Sequence, residues 1–298
     1  MPDALRRLLD QRAQPLPPRL RTALLLTSGI GVVVASVWAW RSSGLAVADI
    51  DWLPIVISFA IAAPASLGLK AAEFHVAARV ADQTPPARRS VEVAVISSAA
   101  NLLPLPGSLL VTVRSLSEDG STYGRAIAAS AVPGLAWLGI TGLVGGVAIG
   151  LEGTWWLAAL VVAAGFGAGL GAALLFRANA PTAGRAGLAA AVIAVESGWL
   201  AISALRLGLA VSALGVSIDP TQAVALSVAG ALTVAIGFFP GGLGVREALI
   251  AALAPLIGLQ FDTGVLLGSL DRVIWLAFLA VAAGALAQAN RAGRRALS

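Results

Sequence analysis

Six charged side chains lie inside stretches that are otherwise apolar: Glu196, Arg206, Arg246, Glu247, Asp271 and Arg272. On insertion scales an ionised group at the centre of a bilayer costs on the order of 3 kcal/mol, so such groups persist where they pair, line water or bind a charged ligand. Arg246 and Glu247 sit just past the run 238–244, Phe-Phe-Pro-Gly-Gly-Leu-Gly. Proline ends a helix there, and glycine lets backbone come close to a ligand. A helical limb restarting near Gly242 points free N–H groups and the positive end of its dipole at the membrane middle, where both favour phosphate. Arg246 adds a full charge and a forked donor. Glu247 beside it can accept an amine or pair with Arg272. A similar run at 101–107, Asn-Leu-Leu-Pro-Leu-Pro-Gly, precedes Arg114. The candidate ligand-binding set is therefore Arg246, Glu247, Arg272, Gly241, Gly242, Gly244 and Glu196, with Asn101, Gly107 and Arg114 from the first run. An internal Arg/Glu network that holds the chain in place is the competing reading of the same charges, and the two can coexist.

The elements that carry these residues must sit in lipid. The chain has 298 residues, 58% hydrophobic and 12% charged, with a mean hydropathy of +0.88. Soluble domains run nearer ~25% charged. No segment is long and polar enough for a soluble catalytic domain. The absence of cysteine excludes disulfides, thiolate metal sites and cysteine nucleophiles, and a single histidine excludes a multi-histidine metal site. No cofactor, metal or nucleic-acid partner is expected, and no phosphate-binding G-x-x-x-x-G-K-[ST] loop occurs.

A spanning helix needs about 20 apolar residues. Six segments qualify, at 22–40, 52–72, 126–150, 155–176, 187–213 and 264–289. Two further apolar stretches, 91–117 and 221–258, are broken by the two Pro/Gly runs. Basic residues mark cytoplasmic loops. Five arginines between Arg6 and Arg21, then Arg79, Arg88 and Arg89, then Arg177 and Arg185, then Arg291, Arg294 and Arg295 label one side. Those labels agree only if 91–117 enters from the cytoplasm and turns back, and 221–258 does the same from outside. Trp38, Trp40, Trp52, Trp155 and Trp156 all fall at the opposite ends of spans, as interfacial tryptophans should. The reading is an all-α polytopic membrane protein: six spans plus two re-entrant hairpins in an inverted-topology repeat, a frequent transporter plan with its site near the midplane. Residues 1–21 form a cytoplasmic basic arm, 22–150 the first repeat, 151–290 the second, and 291–298 a cytoplasmic tail. The arm's arginines favour anionic headgroups, and no cleaved signal peptide is read. Gly165, Gly167, Gly169 and Gly171 form overlapping G-x-x-x-G pairs for close helix packing. Lys70, Glu73 and His75 are expected at the cytoplasmic interface, and Arg206 either near the outer headgroups or at the substrate.

At 240–247 the sequence Pro-Gly-Gly-Leu-Gly-Val-Arg-Glu resembles the second hinge of the transmembrane, flippase-like domain of the lysylphosphatidylglycerol synthase family, whose members include stand-alone membrane proteins without a synthase domain. The matching residues are Pro240, Gly241, Gly242, Gly244, Glu247 and, in the last span, Arg272. At the first hinge Asn101, Leu103, Pro104, Gly107 and Arg114 follow the family pattern approximately, with Ser108 in place of an acid. An arginine of the family in the following helix has no counterpart, Val132 and Pro133 standing near its place. The resemblance runs from about residue 50 onward. It implies a lipid flippase-like protein of the cytoplasmic membrane.

The expected function is thus movement of a phospholipid or polyprenyl-phosphate-linked lipid between leaflets, downhill or coupled to an ion gradient or to a lipid- or envelope-synthesis enzyme as partner. The expected protein is not an enzyme. The alternatives are an intramembrane lipid-modifying enzyme using Glu247 or Asp271 as a base, and a non-transporting scaffold.

Overall fold

The computed structural model describes residues 33–34, 36–42, 44, 46–101, 107–236 and 244–295. Among the described residues the regular structure is all helical, without a strand. In chain order the helices are α1 (Trp52–Val80), α2 (Ala87–Ala100), α3 (Gly107–Glu118), α4 (Tyr123–Leu151), α5 (Trp155–Asn179), α6 (Arg185–Ala213), α7 (Pro220–Ile236), α8 (Val245–Leu253) and α9 (Phe261–Arg295). Five of them, α1, α4, α5, α6 and α9, are long and apolar enough to cross a membrane. Their outward faces carry Val147, Leu160, Phe166, Leu174, Ile193 and Val273, each about 60% exposed. Apolar surface of that extent belongs in lipid rather than water. The protein is a multi-pass membrane protein by this architecture.

The spans are longer than the sequence pattern marks. The helix expected at 52–72 runs on to Val80, and the one expected at 264–289 extends from Phe261 to Arg295. Helical hydrogen bonding continues past the apolar window wherever the next residues are good helix formers, and hydropathy does not register that. The first expected span, 22–40, lies mostly outside the described residues, as do the basic arm 1–21 and both hinge centres, 102–106 and 237–243. Residues 36–42 are helical and run antiparallel to the start of α9, with Ser36 Oγ donating to Ser269 Oγ at 2.7 Å and Ser42 Oγ to Asp262 Oδ2 at 3.3 Å.

Two pairs of short helices separate the long ones. α2 and α3, of 14 and 12 residues, are about 21 and 18 Å long, too short to span ~30 Å of hydrocarbon. They are antiparallel: Arg89 at the start of α2 reaches Glu118 at the end of α3 (3.4 Å), while Ala100 and Gly107 meet at the tip. α7 and α8 pair likewise, with Gln222 Nε2 donating to Ile257 O at 3.1 Å across the base. α1 and α6 also run antiparallel. The Asp51 N–H donates to Ala213 O at 3.0 Å, and further along Leu69 meets Gly198. The base of α2/α3 follows the end of α1, and the base of α7/α8 follows the end of α6. The bases of the two short pairs therefore lie at opposite ends of the bundle.

The ends differ in chemistry. One carries Arg79, Arg88, Arg89, Arg125, Arg177 and Arg185 over a core of Phe74, Val80, Val93, Leu116, Ala126 and Val192. The other carries Trp52, Trp155 and Trp156, each well over half exposed, over a core that includes Ile149, Leu207, Leu226, Ile250 and Leu267.

Three sequence features set the local packing. In α4 and α5, a Cβ built on Gly142 would lie 2.6 Å from the Cα of Gly165, and one on Gly139 would lie 2.8 Å from that of Gly169. The backbones touch, so the expected close packing falls on Gly165 and Gly169, whereas Gly167 faces open space. On α9, Gly264 and Gly268, one turn apart, lie against Ala251 and Glu247 of α8. In α1, Ser58–Ala62 forms a π turn just before Pro64. Proline offers no N–H to the carbonyl four residues back, and the helix absorbs that by widening for one turn.

Candidate functional site

Helix α8 restarts the chain after the glycine-rich run. Its N-cap, Gly244, has φ +82°, a left-handed conformation that side chains disfavour. Glu247 at the third helical position turns back, and its Oε2 accepts the Gly244 N–H at 2.9 Å, which fixes one orphan donor of the helix start. The other oxygen, Oε1, accepts from Arg272 Nε at 2.8 Å. One residue earlier, Arg246 Nη1 donates to Asp271 Oδ2 at 2.6 Å. From α6, Arg206 takes the other oxygen of Asp271, with Nε and Nη2 at 2.9 and 2.8 Å from Oδ1. The Arg206 guanidinium also lies 5.0 Å over the Trp275 ring, a cation–π contact.

The helical repeat explains how these groups meet. Gly264, Gly268 and Asp271/Arg272 follow at intervals of three to four residues and so share one face of α9. The glycines let α8 close on that face, and the next turn presents a carboxylate and a guanidinium to α8's first turn. Asp271 lies ten residues into α9, about 15 Å from the tryptophan end. That is half the thickness of a hydrocarbon layer.

Among the described residues three arginines face two carboxylates, which leaves the cluster one positive charge in surplus. Asp271 is fully buried, Glu247, Arg206 and Arg272 nearly so, and Arg246 is the most open, with 22% of its side chain exposed. Among the described residues Arg246 makes a single hydrogen bond, to Asp271, out of five guanidinium donors. Its remaining edge is the part of the cluster that can receive a further acceptor.

Of the candidate residues, Arg246, Glu247, Arg272 and Gly244 come together here. Gly241 and Gly242 lie outside the described residues. Glu196 does not join them. It lies ten residues from Arg206 on α6, about 15 Å along the axis, and faces Lys70 and Glu73 of α1. Residue type marked it as a membrane-embedded acid, but only the tertiary pairing of α1 with α6 gives its neighbours. Asn101 and Gly107 act within the first hairpin. Asn101 Oδ1 accepts the Ser108 N–H at 3.1 Å, capping α3 across the tip, and a Cβ on Gly107 would strike Ala100 O. Arg114 is on an exposed face of α3, paired with Glu118 at 2.8 Å, and is not part of the cluster. Hydrogen bonding from Arg114 holds the Glu118 carboxyl below its ordinary range.

Asp271 and Arg206 were not in the expected binding set, yet Asp271 is the hub that both Arg206 and Arg246 bond. The signal available was their charge in an apolar stretch; what the sequence lacked was the partner. Arg206, expected near the outer headgroups or at the substrate, is buried and paired with Asp271. Lys70 and Glu73, expected at the interface, form a partly buried ion pair at 2.8 Å.

Compared with family models, curated proteins and solved structures, the chain matches none.

Proposed function

We propose that the protein is a flippase-like lipid translocase that passes the phosphate of a phospholipid or polyprenyl-phosphate-linked lipid between leaflets at the Arg246 edge of this cluster. The observation that carries the reading is the surplus positive charge held at mid-depth, next to a glycine-rich helix start. An embedded cluster that only held helices together would be expected to balance, because each uncompensated charge is costly there. A phosphodiester brings the single negative charge that completes it. The N–H groups at the start of α8 and the positive end of its dipole add to the attraction.

The topology fits this role. In our reading α2/α3 and α7/α8 are re-entrant hairpins, entering from the cytoplasm and from outside, with six spans arranged as an inverted repeat. The placement of their bases at opposite ends of the bundle and their sub-spanning lengths support it. The basic end faces the cytoplasm and the tryptophan end faces out, in a plasma membrane, with both termini inside. An apolar groove of about 510 Å³ between α1 and α6, lined by Ala65, Gly68, Leu69, Gly198 and Ile202, is of a size to take part of an acyl chain. The resemblance to the lysylphosphatidylglycerol synthase transmembrane family, at 240–247 and Arg272, points the same way. An enzymatic reading is less favoured. Asp271 and Glu247 each have both oxygens engaged, by two arginines in one case and by Arg272 and the Gly244 N–H in the other.

The test is lipid movement in proteoliposomes carrying a labelled phospholipid, with product analysis of the same lipids. Arg246→Gln should abolish movement while leaving the folded protein in the membrane, because it renders the cluster neutral. Loss of one charge-assisted contact weakens phosphate binding by about 1.5–3 kcal/mol. Wild-type movement in a stably folded Arg246→Gln would retire the site, and altered lipid products would favour the enzyme.

A further inference from the structure

Glu196 is 1% exposed, and its Oε1 has no hydrogen-bond partner among the described residues. It sits on α6 about 16 Å from the basic end, inside the apolar layer. Two charged groups act on it, Glu73 and Lys70, both from α1. From α4, α7 and α9, which also pack on α6, no charged group does so among the described residues. Lys70 Nζ is already committed: it donates to both oxygens of Glu73, at 2.8 and 2.9 Å. The pair is partly buried. With all three groups ionised the cluster would carry one uncompensated negative charge in a medium that does not tolerate it. A metal ion is a poor solution, since Glu73 is saturated by the ammonium and no cluster of three ligating residues occurs among the described residues. Helices α4 and α6 hold further buried polar atoms without a partner among the described residues, Ser130 Oγ, Trp137 Nε1, Thr141 Oγ1 and Trp199 Nε1. Glu196 thus lies in an interior that has other unsatisfied polar groups.

We propose that Glu196 is a proton-binding site, with Lys70 as a mobile counter-charge shared between it and Glu73. In one state Glu196 is a neutral carboxylic acid and Lys70 pairs with Glu73. In the other the Glu196 carboxyl has released its proton, and Lys70, on its flexible four-carbon stem, turns to the new carboxylate. Glu73, closer to the basic end and more open, then bears the charge the lysine has left. The exchange binds and releases one proton and requires no other reactant. It stands independently of the lipid reading. If that reading also holds, it supplies the ion coupling that a chain without a nucleotide-binding loop requires for uphill movement.

Infrared spectroscopy of the full chain in lipid nanodiscs tests this directly. The wild type should show the carbonyl stretch of a protonated carboxyl at neutral pH, lost on alkaline titration. Glu196→Gln, which imitates the neutral acid, should lose that band and keep wild-type thermal stability at neutral pH. Glu73→Gln should lose the band as well, because Lys70 then turns to Glu196 and the proton leaves. Lys70→Met should keep the band and extend it to higher pH. A band that survives in Glu196→Gln, or that is unchanged in Glu73→Gln, would overturn the proposal. So would a loss of stability in Glu196→Gln at neutral pH.

Discussion

Replacing Asp271 with asparagine keeps the shape of the side chain and removes its charge. In the wild type one fully buried carboxylate answers two guanidinium groups, from Arg206 and Arg246. In the variant, among the described residues, three arginines face Glu247, and the surplus rises from one positive charge to two. Breaking a buried pair by removing one partner costs about 3–5 kcal/mol, because the charge left behind is neither solvated nor paired. We expect that loss for Asp271→Asn, measured by unfolding in mixed micelles of rising denaturing-detergent fraction. Arg246→Gln should lose less, since it brings the cluster to neutrality, and Arg246 is the least buried member. The decisive variant is the double substitution Asp271→Asn with Arg206→Gln, which restores the wild-type surplus of one charge. It should be more stable than the sum of the single losses by roughly 0.5–3 kcal/mol, the range for residues in one network. An Asp271→Asn variant as stable as the wild type, or a double variant whose losses simply add, would refute the account of the cluster as an electrostatic unit.

The seam between α4 and α5 makes a separate prediction. Gly142→Val should cost about 1–3 kcal/mol through overpacking against Gly165, whereas Gly167→Ala, which meets nothing within 4 Å, should be neutral or stabilising; thermal unfolding of the two variants decides. For topology, the chain has no cysteine, so single replacements report cleanly. Ser117→Cys should react with an impermeant thiol reagent only from the cytoplasmic side and Ser217→Cys only from outside. The reverse pattern, or both residues on one side, would refute the paired-entry arrangement.

How far the sequence reaches can be judged from particular residues. The long apolar helices are legible because lipid imposes a length and a composition on them. The Pro/Gly runs mark where one helix ends and the next begins. Arg246, Glu247 and Arg272 stand out because each is anomalous alone. Their pairing is not legible: nothing in the order of residues says that Asp271 answers Arg206 and Arg246 while Arg272 answers Glu247. That is decided by the side of α9 on which Gly264 and Gly268 admit α8. The charged neighbours of Glu196 are illegible for the same reason, since they come from α1, more than a hundred residues away in the chain. Helix ends such as Val80 are blurred because hydrogen bonding outruns hydropathy.

The widened turn at Ser58–Ala62 changes how α1 should be indexed. Each residue of an α-helix advances the side chains by 100° about the axis, so one extra residue taken up in that turn sets everything after it out of phase with everything before. A helical wheel drawn from Trp52 straight through to Val80 would therefore assign Lys70 and Glu73 to a face about 100° away from the one that meets Glu196. Deleting a single residue within 58–62 would restore an unbroken wheel and leave the ammonium on the face that meets the buried acid, whereas a deletion between Ala63 and Leu69 would turn it about 100° away. The phase of this segment, more than its hydrophobicity, is the quantity to compare between any two chains built on this plan.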